Sequence, residues 1–152
     1  MLTCLPQSIC NWDYRIPDAS TGPAELSFHY GEHGSLTLGG VPFSINKQGW
    51  LSGRWLLEGN GVQCAEATKP SAFSRSFDVR FGESRYVVEA QSAFTRSFEI
   101  RSAGEVVGLI EPRHAFTRRA TITCQSEVPE LVQIFSFWLA ALLWRRAAKK
   151  NH

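Results

Sequence analysis

His29 and His33 stand four residues apart, the spacing at which two imidazoles on one helical face can bind zinc. Gly31 and Gly34 interrupt any helix there, so the segment reads as a turn with solvated histidines and no metal is expected. Cys4, Cys10, Cys64 and Cys124 lack zinc-type spacing. They read as unpaired, mostly buried thiols of a reducing cytoplasm, with a Cys4 to Cys10 bridge left open for an exported chain. The chain has no glycine-rich phosphate loop, nucleophile elbow or His-Glu-x-x-His helix. A non-enzymatic protein without a cofactor is therefore expected.

The residues that remain for chemistry are cations. Arg75, Arg96, Arg118 and Arg119 recur beside hydroxyl side chains, and their guanidinium groups suit phosphate and carboxylate. If their connections converge at one end of a barrel, they form an anion-binding rim. The alternative is that each caps or pairs locally with Asp78, Glu99, Glu89 or Glu111. A second basic group, Arg145, Arg146, Lys149 and Lys150, ends the chain and would be attracted to an anionic bilayer, or would simply solubilise a helix end. The formal net charge is +2, but residues 1–66 carry three basic and six acidic side chains, whereas residues 67–124 carry nine and six. That bias is too weak for a nucleic-acid footprint, and no nucleic-acid partner is expected.

These arginines sit in a repeat. Ala-Phe-Ser/Thr-Arg occurs at 72–75, 93–96 and 115–118, spaced by 21 and 22 residues. The first two copies extend as Ser-Ala-Phe-Ser/Thr-Arg-Ser-Phe-Asp/Glu-Val/Ile-Arg, from Ser71 to Arg80 and from Ser92 to Arg101. Repetition at this period marks a supersecondary unit. Short alternating runs separated by Gly59-Asn60-Gly61, Gly82-Glu83 and Ala103-Gly104 make each unit a β-hairpin plus its connection. Phe77, Val79 and Phe81 share one face, as do Phe98 with Ile100 and Ala120 with Ile122 and Cys124. On an unbroken strand Arg75 would lie with Phe73 and Phe77 on the core side. A bulge or corner between Ala72 and Ser76, repeated at Arg96 and Arg118, is expected to return each arginine to the rim.

Residues 1–24, with Pro6, Pro17 and Pro23, read as an irregular arm or edge segment, and residues 25–152 as one domain. From Leu131 to Trp144 the chain is apolar nearly all round, which predicts a helix over about 129–146. Fourteen residues span roughly 21 Å at about 1.5 Å each, short of the roughly 30 Å core of a bilayer. A helix buried in protein is preferred; a tail anchor spanning the bilayer over about 128–146, with a cytoplasmic β-rich domain, is the alternative. The economical solution is a mostly antiparallel α+β fold, in which a closed barrel of about 10–12 short strands wraps the helix and leaves no free edge.

Hairpin repeats with arginine after a short apolar pair, followed by the C-terminal apolar helix, resemble the tubby C-terminal domain superfamily, which includes phospholipid scramblases and LURP-one-related proteins. The resemblance spans roughly residues 25–146 and is nearest to small bacterial members. It implies a closed barrel of about twelve strands around a central helix, here Pro129 to Arg146. Tubby domains bind phosphoinositide headgroups through a basic pocket, and scramblases act at membranes. No copy of the phosphoinositide-binding positions, of a palmitoylated cysteine cluster or of a proline-rich arm is identifiable here. The charge asymmetry and this layout together make binding of an anionic lipid headgroup, or another ligand at a membrane surface, the expected function, through Arg75, Arg96, Arg118 and Arg119 and the basic tail.

Overall fold

The computed structural model describes residues 1–49, 51 and 53–151. Alternating apolar positions produce twelve antiparallel strands: β1 (Leu2–Pro6), β2 (Tyr14–Ile16), β3 (Ala24–Phe28), β4 (Gly34–Leu38), β5 (Val41–Lys47), β6 (Arg54–Gly59), β7 (Val62–Thr68), β8 (Ser76–Phe81), β9 (Ser84–Ala90), β10 (Phe98–Ser102), β11 (Glu105–Pro112) and β12 (Ala120–Cys124). Each pairs with its sequence neighbours, and β1 pairs with β12, so the sheet closes into a barrel. Closure satisfies every strand edge within the sheet. Tight turns with positive φ at Gly39-Gly40, Asn60-Gly61 and Ala103-Gly104 join hairpins at one end, the geometry that matches strand twist.

The first 24 residues are not an irregular arm. They supply β1 and β2, and Leu2 lies opposite Ile122 and Cys4 opposite Ala120 at the seam. Cys4, Tyr14 and Ile16 are buried in the common core, so these strands complete one domain with the rest. Of the bulge or corner expected between Ala72 and Ser76, the chain makes a corner: β7 ends at Thr68, β8 begins at Ser76, and a loop joins them, as loops also join β9 to β10 and β11 to β12. The register shifts that do occur lie in hairpins, at Leu57/Glu58 and Ile100/Arg101.

Helix α1 runs from Glu130 to Lys150, one turn beyond the expected end at Arg146. Nine successive residues, Ile134 to Leu142, are fully buried. Nine residues cover every direction around a helix, so α1 is enclosed by protein. Pro129 precedes its first turn, and the Glu130 carboxylate accepts two hydrogen bonds from the Ser20 backbone N–H at 3.1 and 2.9 Å. Ser136 Oγ, among the described residues, is a buried hydroxyl with no hydrogen-bond partner.

Packing between α1 and the wall is aromatic. Trp138 stacks on Phe28 with centroids 4.8 Å apart, and Phe137 meets Tyr14 edge-on at the same separation. The Trp138 indole N–H donates to the Ser27 carbonyl at 3.1 Å. Gly34 permits that approach, because a Cβ there would stand 2.6 Å from Trp138 Nε1 and 2.4 Å from the Ser27 carbonyl.

Candidate functional site

Because the barrel is antiparallel, six connections share the end at which α1 emerges: residues 7–13, 29–33, 48–53, 69–75, 91–97 and 113–119. The three Ala-Phe-Ser/Thr-Arg copies are three of these loops. Each motif position has a local task. Ser71 Oγ accepts hydrogen bonds from the N–H groups of Phe73 and Ser74 at 3.3 and 3.1 Å, and Ser92 Oγ accepts from Phe94 at 3.3 Å. Thr95 and Thr117 hydroxyls accept from the N–H two residues on, both at 3.0 Å. Such hydroxyl turns fix loop backbones without help from the sheet.

The arginines then tie each loop to the next. Arg75 donates to the carbonyls of Ser92, Ala93 and Thr95 at 3.0, 3.1 and 2.8 Å. Arg96 donates to those of His114, Ala115 and Thr117 at 2.9, 2.8 and 2.9 Å. Arg118 reaches across the barrel seam to Asn11, at 2.6 Å, and to Ser8. Lys69 opens the series by donating to Ser71, Ala72 and Ser74 in its own loop. Four cations thus staple four consecutive loops in one direction around the rim.

In the structure these arginines cap backbone carbonyls: Arg75 and Arg96 each give three guanidinium hydrogen bonds and Arg118 gives two, and none of these bonds goes to a neighbouring carboxylate. Burial lowers the pKa of Arg75, as expected for a cation held among neutral carbonyls. Glu89 and Glu99 instead pair with Arg101 at 3.0 and 2.7 Å on the outer wall. Of the four expected rim residues only Arg119 is an exposed side chain.

The basic tail divides similarly. Arg145 lies 5.4 Å over the Phe28 ring, and one of its buried nitrogens, Nη1, has no hydrogen-bond partner. Arg146 is committed to Glu32, whose Oε1 it reaches at 2.6 Å and which also accepts from Lys47 at 3.0 Å. Burial alone would raise the Glu32 carboxyl, but hydrogen bonds and charge from Arg146 and Lys47 hold it down to about 2. Lys149 and Lys150, in the last helical turn, are exposed. The end of α1 is anchored further by Trp144, which donates to the Arg96 carbonyl at 3.0 Å.

With the arginines turned inward, the phenylalanines face outward. Phe73, expected on the core side with Phe77, is 97% exposed, and its equivalents Phe94 and Phe116 are 100% and 98% exposed. A signal for this was present in the sequence, since Ala-Phe-Ser/Thr-Arg breaks the period-two pattern, whereas the core phenylalanines of the sheet, Phe77 and Phe98, stand in alternating runs such as Ser76-Phe77-Asp78-Val79-Arg80. The cysteines are free but not mostly buried: Cys4 is enclosed, Cys64 and Cys124 are partly exposed, and Cys10 is exposed. His29 and His33 fall in the 29–33 turn, where His33 Nδ1 accepts from the Lys47 N–H at 3.1 Å. Among the described residues no cluster of three or more metal-ligating side chains occurs.

A groove of about 640 Å³ on the outer wall collects Glu66, Asp78, Arg80, Glu89 and Arg101. Its Glu66 bridges Arg54 and Arg80 at 3.0 and 2.9 Å, which describes a paired surface network. The chain matches no family model, and searches of curated proteins and of solved structures return no match.

Proposed function

We propose that this barrel is a non-enzymatic peripheral protein that docks on an anionic membrane surface, with the end where α1 emerges facing the lipid. The observation that carries this reading is the segregation of charge. Among the described residues, the six loops at that end hold Lys69, Arg75, Arg96, Arg113, Arg118 and Arg119, and α1 adds Arg145, Arg146, Lys149 and Lys150, against only Asp13 and Glu32. The connections at the other end hold Asp18, Glu83 and Glu127, with Glu130 starting the helix, and no basic side chain. A molecule of net charge +2 is thereby strongly dipolar. Such a dipole orients the barrel in the field of an anionic leaflet before contact.

Arg113, Arg119, Lys149 and Lys150 are the exposed members of the basic end. Each contributes about 1 kcal/mol near an anionic surface, and the attraction fades within a Debye length. A barrel threaded by its C-terminal helix is also the layout expected from the tubby-like resemblance, and we extend the proposal to a small member of that superfamily acting at the cytoplasmic leaflet. Co-sedimentation with phosphatidylcholine vesicles should rise steeply when phosphatidylserine is included and decline with added salt. Absence of binding at low salt, with the protein folded, would remove this reading.

The tail-anchor reading keeps one observation in its favour: α1 is long and apolar enough, by length and composition, to cross a bilayer. The burial of Ile134 to Leu142 supports the lumen of the barrel as its place. A chain truncated before residue 126 separates the two readings. An anchor leaves a soluble β-domain when removed, whereas a core helix leaves an unfolded or insoluble sheet.

A further inference from the structure

We infer that the six loops at the basic end form an apolar crown that inserts into the interfacial layer of the bilayer. Among the described residues, each of those loops carries one large apolar or aromatic side chain in solvent: Ile9, Tyr30, Leu51, Phe73, Phe94 and Phe116, from 80% exposed at Leu51 to 100% at Phe94. The opposite end has no such set. Its hairpins turn on glycine, asparagine and alanine, and their flanking valines, Val41, Val62 and Val106, are 42%, 64% and 38% exposed.

Three arguments make the occupant lipid. Lys69, Arg75 and Arg96, together with the hydroxyl turns, fix the backbones of the loops that present the phenylalanines, and the rings stand in solvent. Loops one hairpin apart stand roughly 10 Å from each other, at two strand spacings, and hydroxyl side chains such as Ser74, Thr95 and Thr117 flank the rings. Separated tips of this kind lack the contiguous apolar centre of a protein interface, whereas a bilayer receives each tip independently. The crown is also set among basic side chains, the pairing of apolar anchors with cations that interfacial membrane binders use.

This inference rests on the anionic-surface reading above, and the experiment separates the two. The full chain is compared with the triple variant Phe73→Ser, Phe94→Ser, Phe116→Ser and with the double variant Lys149→Gln, Lys150→Gln, each checked for an unchanged melting temperature. Vesicle partitioning and the surface-pressure rise of a phosphatidylcholine/phosphatidylserine monolayer are read in parallel. Burying part of each ring is equivalent to roughly a tenfold gain in partitioning, so the triple variant should lose about a thousandfold and no longer raise the monolayer pressure. The lysine variant should weaken low-salt partitioning while keeping the pressure rise at high protein concentration.

Equal partitioning and pressure rise for the wild type and the serine variant would overturn the crown. Salt-sensitive vesicle binding with no pressure rise by the wild type would also overturn it, leaving the anionic-surface reading in place. No binding to either vesicle would end both. Sedimentation velocity without lipid supplies the remaining outcome: a concentration-dependent dimer that the serine variant abolishes would assign the crown to a second copy of the chain and overturn its assignment to lipid.

Discussion

Arg96 shows what one side chain does at this rim. It receives its position from β10 and spends its donors on three carbonyls of the following loop, while Trp144 donates to its own carbonyl. Replacing it with alanine leaves those carbonyls to water and frees the 113–119 loop. Charge-assisted bonds of this type are each worth about 1.5–3 kcal/mol when fully desolvated, and because water takes over these three carbonyls on the partly exposed rim, Arg96→Ala should lower stability by only about 2 kcal/mol in urea unfolding, with faster proteolysis at His114 to Thr117. Glu32 supplies a pH test. Its folded pKa, about 2, lies below the ordinary value of 4.5, so its contribution is complete above pH 4.5 and is lost as pH falls toward 2. The melting temperature should therefore drop across that window, and Glu32→Gln should lose about 1–3 kcal/mol at neutral pH while flattening part of the drop. The sequence exposed the period of these residues but not their partners. Arg75 bonds to a loop 17 to 20 residues away and Arg118 to one more than 100 away, and parity along a strand carries no information about either.

At the scale of elements, the hairpins and the helix were legible because their causes are local. Glycine turns set the hairpins, alternation set the buried faces of β8 and β10, and a run apolar on all sides required enclosure for α1. The strands β1 and β2 were not legible, because two short segments interrupted by proline become strands only when β12 and β3 offer them partners. The loop conformations escaped for a related reason: their hydroxyl turns are local, but the arginine staples on residues 91–97, 113–119 and 7–13 come from the neighbouring loop around the rim. Contact between α1 and the wall gives the prediction at this scale. Gly34→Ala places a methyl against the Ser27 carbonyl and the Trp138 indole, and it should cost about 2–4 kcal/mol, measurable as a lower urea midpoint at unchanged slope. If that midpoint stays where it is, Trp138 does not pack where α1 is placed here.

The whole molecule has two unlike ends, one acidic and closed by tight turns, the other basic and tipped with apolar side chains. Attraction to an anionic surface fades within a Debye length, so it responds to the charges at the basic end and hardly to those at the far end. Reversing Lys149 and Lys150 to glutamate should cut binding to anionic vesicles by roughly a hundredfold or more at low salt and leave the fold intact, as read by co-sedimentation and circular dichroism. Reversing Glu83 to lysine at the far end should change the affinity little. The seam has a consequence in time. Leu2 pairs with Ile122, so an early strand must wait for one made some 120 residues later, and the helix that fills the lumen is made after both. At about 5–20 residues per second, the growing chain presents an open sheet with an unfilled apolar face for several seconds, until the helix has left the ribosome. Its hairpins can form as they emerge, but the enclosed core cannot. A stalled ribosome near residue 125 therefore holds a sticky half-built sheet, and chaperone capture at that length, rather than at shorter ones, is what a barrel closed by its latest elements demands.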